Sequence, residues 1–506
     1  MTGTLLGTAS AAVQLTLADL MPLQVELMLV ASILVLLLVD LFTRSEASKR
    51  ALSELTFWLL LGCLVLSFSS NTHGEAFFGA YVGNHWTLFL KRLFLVAGAL
   101  AVLGISERLA KHQRRRQGEY FILLLASLLG MVLLPGARDL ILLLVCFELM
   151  GLPLYVLAAY EKGAVGQGEA ALSTAQHAPE ASMKMYVTGA ASSAVTLFGL
   201  SLVLSVGGTT RIDELARVGA SPLLSVGMLL ILAGMGFKIG AAPFHMWVPD
   251  TYQGSSTPFV AFLSVAPKVA GFVALVAVFF GAFSAHHEKW ASALVLLSLL
   301  SMLVGNLMAL RQTSVKRLLA YSGVSHIGYM LLAFIPGTPA SLGMLLFYAA
   351  AYVVTNMGAF LVVEAVVPHG ESDDLRAFDG LAQRAPFLAM AMLLFLLSLA
   401  GIPFVVGFWA KLYVFIVAWQ AGYAWLVIVG AVLAVVALFY YLQIARAMYM
   451  VRGQSTPLRA APVARLAIGV CLVAVVLFGA WPSLLLNQAE SAASLRASVP
   501  VATLGS

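Results

Sequence analysis

Charge is scarce in this sequence. Only 10% of its 506 residues are Asp, Glu, Lys or Arg and 61% are hydrophobic, whereas soluble domains carry about a quarter charged residues. A mean hydropathy of +0.96 excludes an ordinary soluble globule. Cysteine is nearly absent: Cys63, Cys146 and Cys471 stand singly in apolar runs, with no CxxC pair. That spacing argues against a disulfide framework, a zinc site or an iron–sulfur cluster. Ten-residue alternating segments are missing too, which removes a membrane β-barrel. No Lys or Arg precedes Arg44, so the first apolar segment lacks the basic flank of a secretory signal and is expected to remain as a helix.

What the sequence does have is a succession of apolar runs of about 20 residues, the length a helix needs to cross about 30 Å of hydrocarbon. Lipid offers no partner to backbone N–H and C=O groups, so helices are the expected form. Charged and Pro/Gly-rich breaks predict fourteen spans: 22–42, 54–71, 86–106, 119–135, 140–160, 183–206, 222–247, 258–283, 290–309, 318–335, 341–366, 386–418, 424–446 and 464–482. Alternate loops divide the basic residues unevenly. The set containing "RSEASKR", "ERLAKHQRRRQ", "RQTSVKR" and "RGQSTPLRAAPVAR" holds 18 Lys and Arg; the other set, termini included, holds 5. The excess predicts a cytoplasmic first set and periplasmic termini. The net charge of +6 therefore lies in short loops and gives no reason to expect nucleic acid.

Two spans are too long. Span seven, with its continuation to Asp250, and span twelve each run to about 30 residues, and each is interrupted by Gly and Pro, in "GAAPF" and "AGIPF". Proline removes a backbone donor and clashes with the preceding turn, so both are expected to break. They lie five helices apart, an odd number, so spans 4–8 and 9–13 run with opposite topology. The expected fold is an all-α polytopic membrane protein of about 14 transmembrane helices, with two inverted five-helix repeats and broken helices 7 and 12. Residues 1–118 would be an N-terminal three-helix segment, 119–283 the first repeat, 290–450 the second, and 451–506 a C-terminal helix and tail.

Against this apolar background a few ionisable residues stand out. Glu148 falls mid-span in "LILLLVCFELMGLPLYVLAAY", and Lys268 about ten residues into "PFVAFLSVAPKVAGFVALVAVFF", directly after Pro267. Translocon-type scales put a charge at the bilayer centre at roughly +2.5 to +3.5 kcal/mol, so such residues are functional candidates. Lys238 and Lys411 lie one on each broken helix, where a long stem could also reach the interface. Lys184, at the start of span six, reads first as an interfacial lysine, and Lys91 and Arg92 in span three read as interfacial or subunit-contact residues. His245 and His326 are either packed core histidines or proton relays. Glu364, near a span end, is expected to be solvated. The nominal GxGxxA in "GAVGQGEAA" lacks a preceding strand and a ribose-binding acid, and "GESDD" lacks metal-ligand spacing.

Three blocks carry a resemblance: "FKIGAAPFHMWVPDTYQGSSTPFVAFLSVAPKVAGF", "GNLMALRQTSVKRLLAYSGVSHIGYMLLAF" and "DLRAFDGLAQRAPFLAMAMLLFLLSLAGIPFVVGFWAKLYVF". They closely resemble subunit N of bacterial NADH–quinone oxidoreductase, respiratory complex I, from about Leu140 to Met450. Tyr252 and Gln253 stand where sister antiporter-like subunits and Mrp-type sodium/proton antiporters usually have His and Pro. Lys411 argues against the sister subunit with a glutamate there. The resemblance implies a proton-translocating membrane subunit without a redox site of its own. NADH, FMN, iron–sulfur clusters and quinone would belong to partner subunits, in a bacterial inner membrane. It also implies that Glu148 pairs with Lys238, that Lys268 is the connecting proton carrier, and that Lys411 lies on the exit side. His245 and His326 would bridge between lysines, and Lys184 matches a lysine at the same place in the family. Two departures are the longer loop 161–182 and the bulky "FVVGFWA" after Pro403. An Mrp-type cation/proton antiporter subunit and a non-pumping membrane scaffold are the competing readings.

Overall fold

Residues 17–43, 51–69, 73–112, 116–160, 169–367, 372–453, 457–458 and 460–497 are described by a computed structural model of the chain. Helices α1 (Gln24–Phe42), α2 (Ala51–Ser69) and α3 (His85–His112) come first, with a short antiparallel hairpin, β1 (Gly74–Ala76) and β2 (Tyr81–Gly83), between α2 and α3. Then come α4 (Gln117–Leu133), α5 (Leu140–Ala158), α6 (Glu169–Gly207), α7 (Pro222–Ile239), α8 (Trp247–Gly254), α9 (Thr257–Leu263) and α10 (Ala266–Leu275). The other long helices are α11 (His287–Ala309), α12 (Val315–Phe334), α13 (Pro339–Val366), α14 (Pro386–Ala400), α15 (Val406–Gln420), α16 (Ala424–Met450), α17 (Pro462–Ala480) and α18 (Ser483–Ala497).

Local sequence explains many of the boundaries. Asp139 caps α5 by accepting from the Ile141 and Leu142 amides, and Ser221 caps α7 with Pro222 at the first helical position. Thr338 and Ser341 form a reciprocal capping box on α13. Among the described residues, twelve helices are long and apolar enough to cross a membrane. Helix α12 and the 15-residue α14 and α15 are not among them. Two of the twelve, 257–282 and 339–366, each contain an 18-residue stretch wholly enclosed by the rest of the bundle. Outer helices expose large apolar side chains such as Leu41, Val65 and Val435. The centre of the bundle is therefore α9, α10 and α13.

Three interruptions fall in this bundle. Helix α7 ends at Ile239 because Gly240 takes a left-handed φ of +76°, and the chain turns through Pro243 before α8. Helix α14 ends the same way at Gly401, φ +84°, before Pro403 and α15. A third break parts α9 from α10 at Ser264–Val265, with Pro267 in the first turn of α10. Just past α10 the chain adopts a π-helix, Val276–Ala282.

The structure corrects three expectations. The stretch 169–182, read as loop, is the start of the 39-residue α6; "EAALSTAQ" is rich in helix formers. Residues 161–168, with most of the nominal GxGxxA, lie outside the described residues. Lys91 is not interfacial. It is fully buried, with Nζ 2.8 Å from Glu26 Oε1 and 3.1 Å from the Pro22 carbonyl, and Tyr81 of the hairpin donates to the same carboxylate. Its neighbour Arg92 is half-buried, donating to the Ser67 carbonyl at 2.7 Å. Glu364 is not freely solvated either: its side chain is 18% exposed and Arg108, near the end of α3, reaches both its oxygens at 2.8 Å. Both carboxylates found partners that are distant in sequence, which apolar periodicity does not reveal.

Removing one partner of a buried ion pair costs roughly 3–5 kcal/mol, whereas replacing both with apolar residues is often neutral. Glu26→Gln should therefore lower the thermal stability of the purified protein in its native assembly. The double variant Glu26→Leu/Lys91→Met should recover part of that loss but not all of it, because the Tyr81 hydroxyl and the Pro22 carbonyl lose their partners.

Candidate functional site: a row of buried lysines

One stripe of α5 carries Glu148, Gly151 and Tyr155, at the i, i+3, i+7 spacing that puts them on one helical face. Lys238, one residue before the end of α7, points at that stripe. Its Nζ lies 3.5 Å from Glu148 Oε1 and donates to the Tyr155 hydroxyl at 3.2 Å, with the Phe147 ring 5.1 Å away. Ser193 of α6 donates to the same Glu148 oxygen at 2.6 Å. The lysine side chain is 7% exposed and the glutamate 28%. A charge pair is thus held where its partners are one carboxylate, two hydroxyls and aromatic faces.

Lys268 lies three residues past the α9–α10 break and is 1% exposed. Its Nζ makes no hydrogen bond to a protein atom among the described residues and sits 5.4 Å from the centre of the Tyr252 ring. Tyr252, one of the residues on which the resemblance to subunit N rested, thus lies beneath this lysine. Gln253, another of them, accepts from Arg317 at 3.1 Å.

His326 of α12 is fully enclosed. Nδ1 is 2.7 Å from the Tyr348 hydroxyl and Nε2 is 3.3 Å from that of Tyr441, while the Tyr352 ring packs 5.3 Å away. A small cavity opens beside it, lined by Tyr348, Tyr352, Thr355, Ser398 and Gly407, among others. Lys411 lies beyond, on α15. It reaches back to the broken end of α14, where Nζ donates to the Leu399 and Ala400 carbonyls at 2.8 and 2.9 Å, and it lies 5.0 Å from the Tyr329 ring. Those carbonyls lost their helical donors at the break, and the ammonium replaces them.

Two candidates stand differently. His245 lies in the turn between α7 and α8, its ring 6.2 Å from that of Tyr321 and its Nδ1 buried without a hydrogen-bond partner among the described residues. Lys184 is half-exposed (46%) and pairs with Glu180 at 2.8 Å and Asp250 at 2.9 Å. Asp250 also holds Arg317 at 2.8 Å, so it ties α6, α8 and α12 together. Phe404, from the bulky stretch after Pro403, is 88% exposed and points away from the row.

The comparisons with known proteins bear on this geometry. A family profile described as "NADH:quinone oxidoreductase/Mrp antiporter, TM" matches residues 137–437. NADH-quinone oxidoreductase subunit N of Moorella thermoacetica is 39% identical over 94% of this chain and 99% of its own length. The chain belongs to the subunit N family of NADH-quinone oxidoreductase. The subunit N of Rhodospirillum rubrum is 36% identical over 92% of this chain and 96% of its own. A chain of respiratory complex I from Thermus thermophilus, solved with bound aureothin, superposes with a TM-score of 0.78 at 32% identity, covering 92% of this chain and 98% of that one. A chain of the Mrp complex from Dietzia superposes at 0.79 over 95% and 97% of the two chains, but at 21% identity this likeness concerns the fold alone. As a subunit N relative the chain is a multi-pass membrane subunit of the antiporter-like class.

Sequence reading missed Tyr155, Ser193, Tyr348, Tyr352, Tyr441 and Asp250. Tyr155 was within reach, because it shares a helical face with Glu148. The others meet the row only through tertiary packing.

Asp250 lies beyond the span that ends near Trp247. Burial alone would raise its carboxyl, but the hydrogen bonds from Lys184 and Arg317 outweigh that and hold it below the usual value of 3.8. A depressed acid contributes stability that is fully present above its unfolded value and lost as pH falls through the folded one. The clamp should therefore stay closed throughout the pH 5–8 range. After correction for intrinsic rates, amide exchange in 247–254 should be flat across those pH values, and Asp250→Asn should raise it several-fold.

Proposed function

We propose that this chain is a proton-translocating membrane-arm subunit of an NADH:quinone oxidoreductase, and that its buried Glu/Lys/His row is the proton axis. The observation that carries the reading is the 3.5 Å contact between Glu148 and Lys238 inside a membrane bundle that encloses Lys268, His326 and Lys411 further along. The full architecture proposed is fourteen crossings in two inverted repeats, 119–283 and 290–450. Residues 1–118 precede them as a three-helix segment, 451–506 follow, and both termini are periplasmic. The shorter α14 and α15 would together make one broken crossing, and α12, too polar to stand among the twelve, would be another, shielded by its neighbours.

The energetics support a switch at Glu148–Lys238. Two unit charges about 4 Å apart interact by roughly 4 kcal/mol at an effective dielectric of about 20. Moving one charge against 100 mV costs about 2.3 kcal/mol. Forming or parting the pair is thus large enough to load or release one proton against the membrane potential. In this reading, quinone reduction in the partner subunits toggles the pair. Lys238 then passes its proton to Lys268, which hands it past His326 to Lys411 and the exit side. His245 would serve the leg beside Lys238, and Lys184, in its cluster with Asp250, the uptake side. NADH, FMN, iron–sulfur clusters and quinone are assigned to the partner subunits, and this chain supplies the path.

The test uses the assembly purified from native membranes and reconstituted in vesicles. We expect inhibitor-sensitive NADH-driven quinone reduction coupled to proton uptake. Glu148→Gln and Lys268→Ala should each lower coupled proton translocation by about tenfold or more, a change of at least about 1.4 kcal/mol in effective barrier, with the assembly intact. Unchanged proton/electron stoichiometry in both variants would overturn the axis. Sodium-dependent proton exchange without NADH would instead support the antiporter reading.

A further inference from the structure

The interiors of α5 and α12 each contain a glycine that helix formation does not explain. A mid-helix glycine weakens a helix relative to alanine, so its presence calls for a spatial reason. For several other glycines of the bundle the reason is backbone packing. A Cβ on Gly130 would meet the Met150 nitrogen at 2.5 Å, and one on Gly305 the Ser325 nitrogen at 2.4 Å. Gly151 and Gly323 are different. A Cβ on Gly151 would stand 2.8 Å from Lys238 Nζ, with the Tyr155 hydroxyl next at 3.7 Å. A Cβ on Gly323 would stand 2.9 Å from Lys268 Nζ and 3.0 Å from the Tyr352 hydroxyl. No backbone atom of another segment is among the nearest neighbours at either position.

We infer that Gly151 and Gly323 are positioning residues for the proton-carrying lysines, each clearing the space in which one ammonium group sits. The inference rests on the axis proposed above. A methyl group at either position would crowd the far end of a flexible side chain, so the helix can keep its path while the ammonium moves. At Gly151 that movement parts Lys238 from Glu148 and Tyr155, which share the stripe with the glycine. At Gly323 it has a second consequence. Lys268 Nζ and the Tyr352 hydroxyl both face the missing Cβ, so the glycine keeps open the gap between them. The Tyr352 ring lies in turn 5.3 Å from that of His326. The gap therefore lies on the leg that leads from Lys268 toward Lys411.

The experiment places Gly151→Ala and Gly323→Ala in the intact assembly, with Gly469→Ala as control. Gly469 is also interior to a helix, α17, but has no atom within 4 Å of its Cβ position. Assembly content, the pH profile of coupled quinone reduction and the proton/electron ratio are measured in reconstituted vesicles. We expect both variants to assemble, to lose coupled proton translocation by about tenfold or more, since a misplacement of about 1 Å can cost about 10²-fold, and to shift the pH profile. Gly469→Ala should match the parent. A pH profile and ratio equal to the control in both variants, with Glu148→Gln and Lys268→Ala impaired, would overturn this inference alone. If those two reference variants are silent as well, the axis reading falls and the inference falls with it. Loss of assembled complex in both glycine variants would assign the glycines to helix packing and overturn the inference equally.

Discussion

An interrupted helix inside hydrocarbon leaves carbonyl groups without donors, and a lysine there leaves a charge without water. Each is costly alone, since lipid can satisfy neither. Here the two defects are placed together. Lys411 donates to the Leu399 and Ala400 carbonyls at the end of α14, so the charge answers the break and the break answers the charge. Lys238 occupies the last turn of α7, and Lys268 the first turn of α10. All three lysines of the row thus stand beside a place where the backbone ladder stops. The bundle around them follows from that constraint: non-helical backbone at this depth must be enclosed by protein, and the spans at 257–282 and 339–366 are enclosed over 18-residue stretches.

The aromatic residues complete the enclosure without closing it chemically. Each lysine has a ring within about 5 Å or slightly more: Phe147 and Tyr155 for Lys238, Tyr252 for Lys268, Tyr329 for Lys411. A ring face attracts a cation yet offers no acceptor that would hold its proton fixed. Hydroxyls of Tyr155, Tyr348 and Tyr441 stand at hydrogen-bond distance from Lys238 or His326. Tyrosine therefore does two jobs in the row, excluding lipid with its ring and offering an exchangeable proton at its tip.

Much of this was legible in the sequence. Apolar run length predicted the helices. "GAAPF" and "AGIPF" predicted the interruptions at α7–α8 and α14–α15, and Pro267 hinted at the third, at α9–α10. Glu148 and Lys268 stood out because a charge in a long apolar run has few bland explanations, whereas Lys238 and Lys411 were marked by falling one on each broken helix. What stayed hidden depends on neighbours remote in sequence. Lys91 looked interfacial by its position in span three, but the hairpin folds over it and Glu26 of α1 meets it. Glu364 looked solvated until Arg108 reached it from α3. The start of α6 was misread because "GAVGQGEAALSTAQHAPEAS" mixes Gly and Pro with strong helix formers, and the formers prevail from Glu169 onward.

The partners of the three lysines are not equivalent, and this bears on how a row of like charges can coexist. Lys238 faces a full carboxylate, Lys411 the partial charges of two helix-terminal carbonyls, and Lys268 between them only a ring face. If all three carried identical partners, no position would favour the gain or release of a charge over its neighbours. Because compensation is strongest at Lys238, weakest at Lys268 and intermediate at Lys411, the arrangement sets the middle lysine apart. Charge there has the least direct compensation, so it is the most exposed to repulsion from cations on either side. Parting Glu148 from Lys238 leaves a cation with less compensation at one end of the row. The mutual repulsion that follows acts through a low-dielectric interior, where screening by salt is small. In the axis proposed above, the α5–α7 contact would in this way act on the next cation of the row, Lys268.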